Sequence, residues 1–458
     1  MVSEARDRGS PLPIRTPSAS IEITAQETET MKRYIRQSWQ IIRQNPVLSV
    51  IGIIGTAFAI CMVMVLVQQE YMKVGKFSPE SNRSRWLVTR GATMTTKDTT
   101  RNMTMNTNLG GYQVLEIFRK LETPEAVTAF EGLSIPEPGL EPRFCVREGE
   151  QEVPVTTRYT DEAFWQVFDF SFVAGKHYTE ADARSNIAVA VITDRLARRF
   201  FGSSSEAVGR QALINGRKYT VCGVVRHVTP FCNFAYGDVW MPVFRLYEER
   251  VKNNLFSGFN VICLAKSPKD FDAIKEEVGA LTAKCNGVQE KFNISFPGQP
   301  ADQFTTMHRK FHRDDTEPLE YRRRFILLLA VFLCIPAINL SGMTLSRMRR
   351  RLAELGVRRS FGAVRSDIVR QVLAENMLIS LIGGAFGLLL SYLVMALFPS
   401  WLLSVGSRGM MQGDINGAMF NPVIFLIALV FCVLINLLSA FIPAWRISKT
   451  PIVESLSH

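Results

Sequence analysis

The sequence predicts an α+β fold with four transmembrane helices, one followed by three, and a large α+β extracytoplasmic domain between the first helix and the second. Three observations predict this class. The chain of 458 residues is 47% hydrophobic and only 21% charged, which is apolar for a soluble protein. Four stretches without Lys or Arg each have about the 20 residues that a helix needs to cross a bilayer. Between the first two stretches, strand-like and helix-like patterns alternate.

The N-terminal region precedes the first apolar stretch and divides in two. Residues 1–30 are polar and lack aromatic side chains, so they are predicted to be a disordered extension; either Met1 or Met31 can be the start of the protein. Residues 31–45 place Ile35, Trp39 and Ile42 on one helical face with arginines elsewhere. This pattern predicts an amphipathic helix in the membrane interface.

The four apolar stretches are predicted to be transmembrane helices. They cover residues 46–67, 325–345, 373–398 and 422–445. The first is too long for the apolar region of a signal peptide and lacks a small-residue cleavage site, so we expect it to be retained as an anchor. Pro336, with Asn339, is expected to kink the second helix.

The distribution of charge predicts the orientation of these helices. The segment before the first helix carries four basic residues and no acidic one, and the link at residues 346–372 carries eight arginines against Glu354 and Asp367. The link at residues 399–421 is neutral. Short basic loops stay in the cytoplasm, so the N-terminus, the basic link and the tail at residues 446–458 are predicted to be cytoplasmic.

The region at residues 68–324, which we call the inserted domain, then lies outside the membrane. The basic balance of the whole chain, a net charge of +11, thus reflects topology, and no nucleic-acid partner is expected. One group of basic residues does not follow the rule that basic segments are cytoplasmic: the outer end of the second helix carries Arg322, Arg323 and Arg324. Contact with lipid headgroups or a helix that continues above the membrane can explain them, because long domains translocate largely regardless of charge.

The inserted domain is predicted to be a folded α+β domain. Strand-like runs occur at residues 85–90, 153–159, 187–193, 219–225 and 259–265, with helical patterns at 112–121, 194–201 and 268–284. Asn215-Gly216 between two strand-like runs is a strong hairpin signal, because a type I′ turn needs positive φ at both central positions. We expect two subdomains, one from both ends of the domain and one from residues near 153–225.

Candidate catalytic groups are sparse. The sequence has no GxxxxGK[ST] phosphate loop, no HExxH and no GxSxG, so ATP hydrolysis by that loop is not expected on this chain. His308 and His312 can share a helix face, but the flanking basic residues favour a solvated surface over a metal site. Glu375 with Asn376 can serve a proton or substrate, although pairing with cytoplasmic arginines is favoured. The outer cysteines lack CxxC spacing, which disfavours a metal cluster; Cys222–Cys232 or Cys263–Cys285 disulfides and buried thiols remain alternatives.

The most informative segment is the basic link, in which a short amphipathic stretch turns at Phe361-Gly362-Ala363 and leads into the third helix. Its sequence, RMRRRLAELGVRRSFGAVRSDIVRQVLAEN, resembles the coupling region of the MacB/FtsX-like ABC transporter permease family, the macrolide-exporter and lipoprotein-release type. Leu355 and Ser360 differ conservatively from the commonest residues there. The resemblance implies contact with an ATPase at ten residues: Glu354, Leu355, Gly356, Val357, Arg358, Arg359, Ser360, Phe361, Gly362 and Ala363.

Two other segments resemble the same family. Residues 191–228 are similar to its periplasmic core pattern, and Pro443-Ala444-Trp445-Arg446 is similar to the exit of its last helix. The MacB branch usually carries its ATPase on the same chain, and no fused ATPase domain is found in this sequence. Close helix packing is expected at three glycines of the third helix, Gly383, Gly384 and Gly387, because small residues let helix backbones approach.

The resemblance implies a non-catalytic permease subunit of the bacterial inner membrane that works by mechanotransmission. ATP and Mg²⁺ would bind to a cytoplasmic ABC ATPase dimer, and no cofactor is expected on this chain. Further implied partners are a second permease subunit, identical or different, membrane lipid, and a periplasmic adaptor with an outer-membrane channel. A signalling or scaffold protein that regulates an envelope enzyme is the main alternative; an enzyme with an unrecognised outer site is the other.

Overall fold

The computed structural model shows two compact units. The structure describes residues 46–98, 103–131, 142–147, 152–243, 254–309, 316–350, 364–398 and 422–448, with single positions near 36–44 and 357–362. The helical unit comprises the described residues within 1–66, 328–396 and 421–458. The second unit contains the inserted domain, from Val67 to Leu327.

Four helices of the described residues are long and apolar enough to cross a membrane. They are α1 (Pro46–Val74), α9 (Thr316–Arg350), α10 (Arg365–Leu397) and α11 (Pro422–Ser448). The prediction of four such helices, one followed by three, is confirmed. Arg322, Arg323 and Arg324 are exposed and lie within α9, so this helix does continue past its apolar stretch.

All four helices are longer than the apolar stretches that predicted them, and α10 begins at Arg365 rather than at residue 373. Helix α1 continues past residue 67 to Val74, and α9 begins at Thr316 rather than at residue 325. The seven additional residues of α1, about two turns, are mostly polar, but Gln68 and Met72 are buried among them. Hydropathy therefore marks the apolar part of each helix, whereas hydrogen bonding and packing extend the helix beyond it.

The inserted domain is built on an 11-stranded mixed sheet among its described residues. Its strands are β1 (Trp86–Thr89), β4 (Ala126–Glu131), β5 (Arg143–Cys145), β6 (Val153–Pro154), β7 (Thr157–Thr160), β8 (Phe172–Gly175), β9 (Val189–Thr193), β10 (Gln211–Ile214), β11 (Arg217–Val225), β12 (Val239–Pro242) and β13 (Phe259–Leu264). Their order is β1-β13-β4-β7-β12-β9-β11-β10-β5-β6, with β8 paired to β11. A second sheet contains β2 (Ala92–Thr96), β3 (Thr104–Thr107) and β14 (Phe292–Ser295).

Short helices pack around these sheets. They are α2 (Gly111–Glu116), α3 (Phe164–Val167), α4 (Glu180–Arg184), α5 (Asp194–Phe201), α6 (Ser204–Ala207), α7 (Phe271–Val288) and α8 (Gln303–His308). The predicted hairpin is confirmed: Asn215 and Gly216 have φ of 51° and 77°, and Ile214 pairs with Arg217. Thr193 starts α5 by accepting a hydrogen bond from the Leu196 amide, as N-cap residues do.

The division of the inserted domain into two subdomains stays a prediction, on which the core clusters and the main sheet bear differently. One core cluster does come from both ends of the domain, around Leu87 and Phe259, and another from its middle, around Phe144 and Tyr219. However, the main sheet is continuous, because β12 pairs with both β7 and β9. A third cluster, around Trp240, packs against this joining region.

Candidate functional site

The three predicted packing glycines lie on one buried face of α10. A Cβ added to Gly383 would lie 2.8 Å from Thr56 Cβ, and one added to Gly387 would lie 2.8 Å from the Ala57 carbonyl oxygen. For Gly384 the near atom is Leu429 Cδ1, at 2.4 Å. Glycine therefore allows α10 to approach the backbone of α1 and a side chain of α11.

A buried ion pair joins α9 to α10 within the helical unit. The Arg347 guanidinium of α9 donates a hydrogen bond to the Glu375 carboxylate of α10, at the end of these helices that is predicted to be cytoplasmic. Both side chains are less than a tenth exposed. The pairing of Glu375 with an arginine of the basic link, the favoured prediction, is confirmed. One turn further along, the Thr344 hydroxyl lies 3.1 Å from Asn376 Oδ1. Polar groups thus fix the register of these two helices.

Most of the predicted ATPase-coupling residues lie outside the described residues. This applies to Glu354, Leu355, Gly356, Arg358, Arg359 and Ala363. Of the four that are described, Gly362 has φ of 95°, a conformation that favours glycine. Phe361 is 88% exposed and Val357 46% exposed. Large apolar side chains beside a basic segment therefore project from the turn that precedes α10.

The end of α1 is fastened to the inserted domain by Arg83, which is 2% exposed. Its guanidinium donates to the Gly75 carbonyl at 2.6 Å and to the Met72 and Lys73 carbonyls at 3.4 Å. These are carbonyls at the C-terminal end of a helix, where hydrogen bonds within the helix run out. Arg83 therefore caps α1 with a charge that suits the negative end of the helix dipole.

The same guanidinium is joined to a buried loop. Arg83 pairs with Glu80 at 2.7 Å and donates to the Phe231 carbonyl. The other carboxylate oxygen of Glu80 accepts from the amides of Phe234 and Ala235 at 2.7 and 2.8 Å. Every part of this ion pair is matched by hydrogen bonds, which is the condition under which a buried charge pair is tolerated.

Gln303 makes a second attachment of α1. Its amide nitrogen donates to the Lys73 carbonyl at 2.8 Å, and its amide oxygen accepts from Trp86 Nε1 at 3.1 Å. Trp86 is fully buried in β1, at the edge of the main sheet. Gln303 therefore bridges the end of α1 and the edge strand of the main sheet.

His308 contradicts the predicted solvated surface. Its side chain is only 2% exposed, and its Nε2 lies 2.9 Å from a carboxylate oxygen of Glu70 in α1. The ring stacks on Tyr321 of α9, with centroids 4.0 Å apart. The flanking basic residues that predicted solvent exposure describe only the local sequence, whereas burial comes from contacts with α1 and α9. His312 lies outside the described residues.

The described residues offer little else for chemistry. No group of three or more His, Cys, Asp or Glu side chains among them could hold a metal ion. All eight cysteines are free thiols, so neither suggested disulfide forms. Burial raises the pKa of the Cys222 and Cys263 thiols to about 12, which keeps them protonated and unreactive at neutral pH.

Two clefts open on the inserted domain. One of about 330 Å³ is lined by Arg119, Glu125, Glu162 and Glu180, among others. Another, of about 580 Å³, is lined by the rings of Phe200 and Phe201 and by charged side chains such as Arg210 and Lys218. Both fall in or near the volume range of small-molecule sites, and both lie away from the helix ends.

Sequence analysis missed the residues that attach the long helices to the inserted domain. Glu70, Glu80, Arg83, Gln303 and Tyr321 belong to this set, and His308 was assigned to the wrong environment. One signal is present in the sequence: the charged residues Glu70 and Lys73 closely follow the apolar stretch that ends at residue 67. Their partners lie far away in sequence, so no local pattern could have identified them.

Comparison with protein families gives a consistent result for both parts of the chain. The family model described as MacB-like periplasmic core domain matches residues 47–281. The model described as FtsX-like permease C-terminal matches residues 325–452. Together with the four apolar helices and the α+β inserted domain, these matches define a permease of the ABC transporter class with several membrane-spanning helices. The chain belongs to the MacB/FtsX-like family of these permeases.

Individual relatives agree with this family. The chain is 24% identical over 322 residues to a probable export ATP-binding/permease protein of Pseudomonas fluorescens, with 68% of this chain and 44% of that protein covered. It is 29% identical to a macrolide export ATP-binding/permease protein MacB of Nitrosomonas europaea, with 55% of this chain and 37% of that protein covered. An uncharacterized ABC transporter permease, YknZ of Bacillus subtilis, is 22% identical, with 68% of this chain and 72% of that protein covered.

The chain therefore spans less than half the length of the ATP-binding/permease relatives that it matches. Among solved structures, the periplasmic region of MacB from Actinobacillus actinomycetemcomitans aligns with 46% of this chain and 90% of its own length, at 16% identity and a TM-score of 0.29. The extracellular domain of YknZ aligns with 39% and 84%, at 17% identity and a TM-score of 0.28.

Proposed function

We propose that this chain is the permease subunit of an ABC transporter that converts ATP binding and hydrolysis on a separate cytoplasmic ATPase into movement of the inserted domain. The movement would drive efflux or extraction of a substrate from the periplasm or the outer leaflet. The observation that carries the proposal is the continuity of α1 and α9, each of which includes an apolar stretch and residues that are bonded within the inserted domain.

The proposed partners follow from this arrangement. The ATPase, which would bind ATP and Mg²⁺, docks on the segment from Glu354 to Ala363, and the exposed rings and methyl groups of Phe361 and Val357 supply apolar contact area. A second permease subunit completes the transporter, with an adaptor and an outer-membrane channel as further components. The inserted domain lies in the periplasm and both termini lie in the cytoplasm.

Co-purification with candidate ABC ATPases tests the proposal. The wild-type chain is expected to retain an ATPase in detergent, and Glu354→Lys and Gly356→Trp in the predicted docking segment are each expected to reduce its recovery at least tenfold, about 1.4 kcal/mol. Charge reversal removes a favourable contact, and the indole of Trp would occupy space that glycine leaves for the partner.

Matched controls use the same substitutions in the inserted domain. Glu276 and Gly279 are exposed on α7, and a Cβ at Gly279 would meet no atom within 4 Å, so Glu276→Lys and Gly279→Trp are expected to retain the ATPase. Recovery of the ATPase that is unchanged by the docking variants, or no recovery with wild type, would refute the coupling assignment. ATPase binding without export of any compound would favour the signalling or scaffold function.

A further inference from the structure

One polar cluster of the inserted domain joins both long helices to the same short helix. Glu70 and Lys73 come from α1, Tyr321 comes from α9, and His308 ends α8. The Tyr321 hydroxyl donates to Glu70, and Lys73 Nζ lies 2.7 Å from the same carboxylate oxygen. We call these four residues the stalk cluster.

His308 is the member with contacts on three sides. Its Nδ1 lies 2.8 Å from the Phe304 carbonyl oxygen, and its Nε2 lies 2.9 Å from the other oxygen of Glu70. Both of these partners are acceptors, and both ring nitrogens carry a proton only in the charged form of histidine. The Glu70 carboxylate therefore lies where it can serve as the counter-ion of a protonated His308 ring.

The remaining contacts of the ring reinforce this arrangement. The face of His308 stacks on Tyr321 at 4.0 Å and 27°, as a cation does on an electron-rich ring. The ammonium of Lys73 lies 5.4 Å from the centre of the same tyrosine ring. The neighbouring cation, Arg309, directly follows α8 and donates to the carbonyls of Pro297 and Gly298.

Helix α8 is itself anchored to the sheet of the inserted domain. Gln303, at its first turn, accepts from Trp86 of β1, and the Ala301 amide donates to the Val88 carbonyl at 3.0 Å. A displacement of α8 therefore displaces β1. The stalk cluster then connects three bodies: the end of α1, the start of α9 and the sheet.

We propose that charged His308, paired with Glu70 and stacked on Tyr321, is the coupling residue through which the ends of α1 and α9 move the inserted domain as one body. This inference rests on the proposed function. Without the charge of His308, the two helix ends lose a shared attachment to α8, and ATP-driven movement of the membrane helices would reach the sheet only in part. His308 acts by positioning and takes no part in chemistry.

The test measures movement and ATP hydrolysis separately, using the full chain with its partner ATPase in lipid nanodiscs. A spin label is placed at Ala280→Cys, an exposed position of α7, in a chain carrying Cys334→Ser because Cys334 is the exposed native thiol among the described residues. The distance between labels on paired permease subunits is then compared with and without ATP. Wild type is expected to show an ATP-dependent shift in this distance.

His308→Gln keeps the approximate size and hydrogen-bonding capacity of the side chain but removes its charge. It is expected to reduce the ATP-dependent shift by at least half while ATP hydrolysis stays within about twofold of wild type. Glu70→Gln, which removes the counter-ion, is expected to have the same effect, and the double variant is expected to be no worse than either single one, since residues that act through one interaction are not additive. His308→Arg, which restores a fixed charge, is expected to recover part of the shift.

His177→Gln is the matched control. The His177 ring also has a carbonyl partner, at 2.9 Å, and stacks on Trp165, but it contacts neither long helix in the described structure. The His177→Gln variant is expected to show the same ATP-dependent distance shift as wild type. If wild type binds the ATPase and shows the ATP-dependent distance shift, and His308→Gln shows an equal shift, the role of His308 is refuted while the proposed function stands. If wild type itself does not move with ATP, the proposed function fails and this inference fails with it.

A purely structural role for His308 predicts a different result. In that case His308→Gln would lower the thermal stability of the chain and reduce movement and ATP hydrolysis together, and His308→Arg, which is larger, would not recover movement. Tyr321→Phe provides a milder second variant, because it keeps the stacked ring and removes only the hydroxyl that donates to Glu70. Its expected shift lies between those of wild type and His308→Gln, and a shift equal to wild type would exclude Tyr321 from the cluster.

Discussion

Two arginines that follow α1, Arg83 and Arg85, differ in their burial and in the number of hydrogen bonds that they make. Arg83 and Glu80 are essentially inaccessible to solvent, at 1% and 0% of their side-chain surface, and backbone groups hydrogen-bond to both of them. Arg85, two residues later, pairs with Glu125 at 3.2 Å while both side chains remain a third or more exposed. The two arginines are close in sequence but differ in what their removal would cost.

Arg83→Ala is therefore expected to lower the free energy of unfolding by about 3–5 kcal/mol, because it leaves the Glu80 carboxylate buried without its counter-ion. Arg85→Ala is expected to cost less than about 1 kcal/mol, since exposed pairs are screened by water. Thermal or denaturant unfolding of the purified chain in detergent, followed by tryptophan fluorescence, measures both. Equal losses for the two variants would show that burial does not set the contribution of Arg83.

At the scale of the helices, packing depends on the size of a few side chains rather than on hydropathy. The apolar stretches of α1, α10 and α11 are all long enough to cross a membrane, but hydropathy does not say which face of each meets a neighbour. Gly383 and Gly387 face α1, whereas Gly342 of α9 has no atom within 4 Å of an added Cβ. Hydrogen bonds such as Asn436 Nδ2 to Ser380 Oγ, at 3.0 Å, add direction to the contact of α11 with α10.

Substitution of these glycines by alanine is expected to follow the rigidity of the atom that the new methyl group meets. Gly387→Ala would place Cβ 2.8 Å from a backbone oxygen of α1 and is expected to cost about 1–3 kcal/mol, the range of overpacking. Gly384→Ala meets the end of the Leu429 side chain, which can rotate away, so its cost is expected to be smaller.

Gly342→Ala is the control for this series and is expected to be tolerated. Melting temperatures of the three variants in the same detergent, measured with the partner ATPase absent, give the ranking. A melting temperature of Gly387→Ala equal to that of Gly342→Ala would contradict the close approach of α10 to α1.

At the scale of the whole molecule, charge asymmetry predicts which parts of the chain face each side of the membrane. Positions in the basic link and in the inserted domain should differ in their access to a membrane-impermeant maleimide. With Cys334→Ser as background, Ala280→Cys in α7 is expected to react in spheroplasts with an intact inner membrane. Arg349→Cys, exposed near the end of α9, is expected to react only after the membrane is disrupted, and the opposite pattern would overturn the proposed orientation.

Much of the architecture could be predicted because it depends on local composition. Four apolar stretches, strand-like alternation at residues such as 219–225, and the Asn215-Gly216 turn all produced the expected elements. Helix ends were less predictable: the polar turn containing Gln68 and Glu70 stays helical because it packs in the inserted domain. The single continuous sheet was also missed, because the pairing of β12 with β7 and β9 joins segments that local patterns treat separately.

The residues of the proposed coupling pathway also differ in how far the sequence predicts them. The basic segment before α10 and the family to which it belongs could be recognised from residues adjacent in the chain, because bilayer thickness and charge bias act on short windows of sequence. The attachments of the long helices depend instead on contacts such as Tyr321 with Glu70, which are 251 positions apart. Burial of His308 arises from those distant neighbours, and its own flanking residues gave the opposite indication. Hydropathy is a property of each stretch alone, whereas the partner of a buried charge is chosen only when the folded chain brings the two groups together.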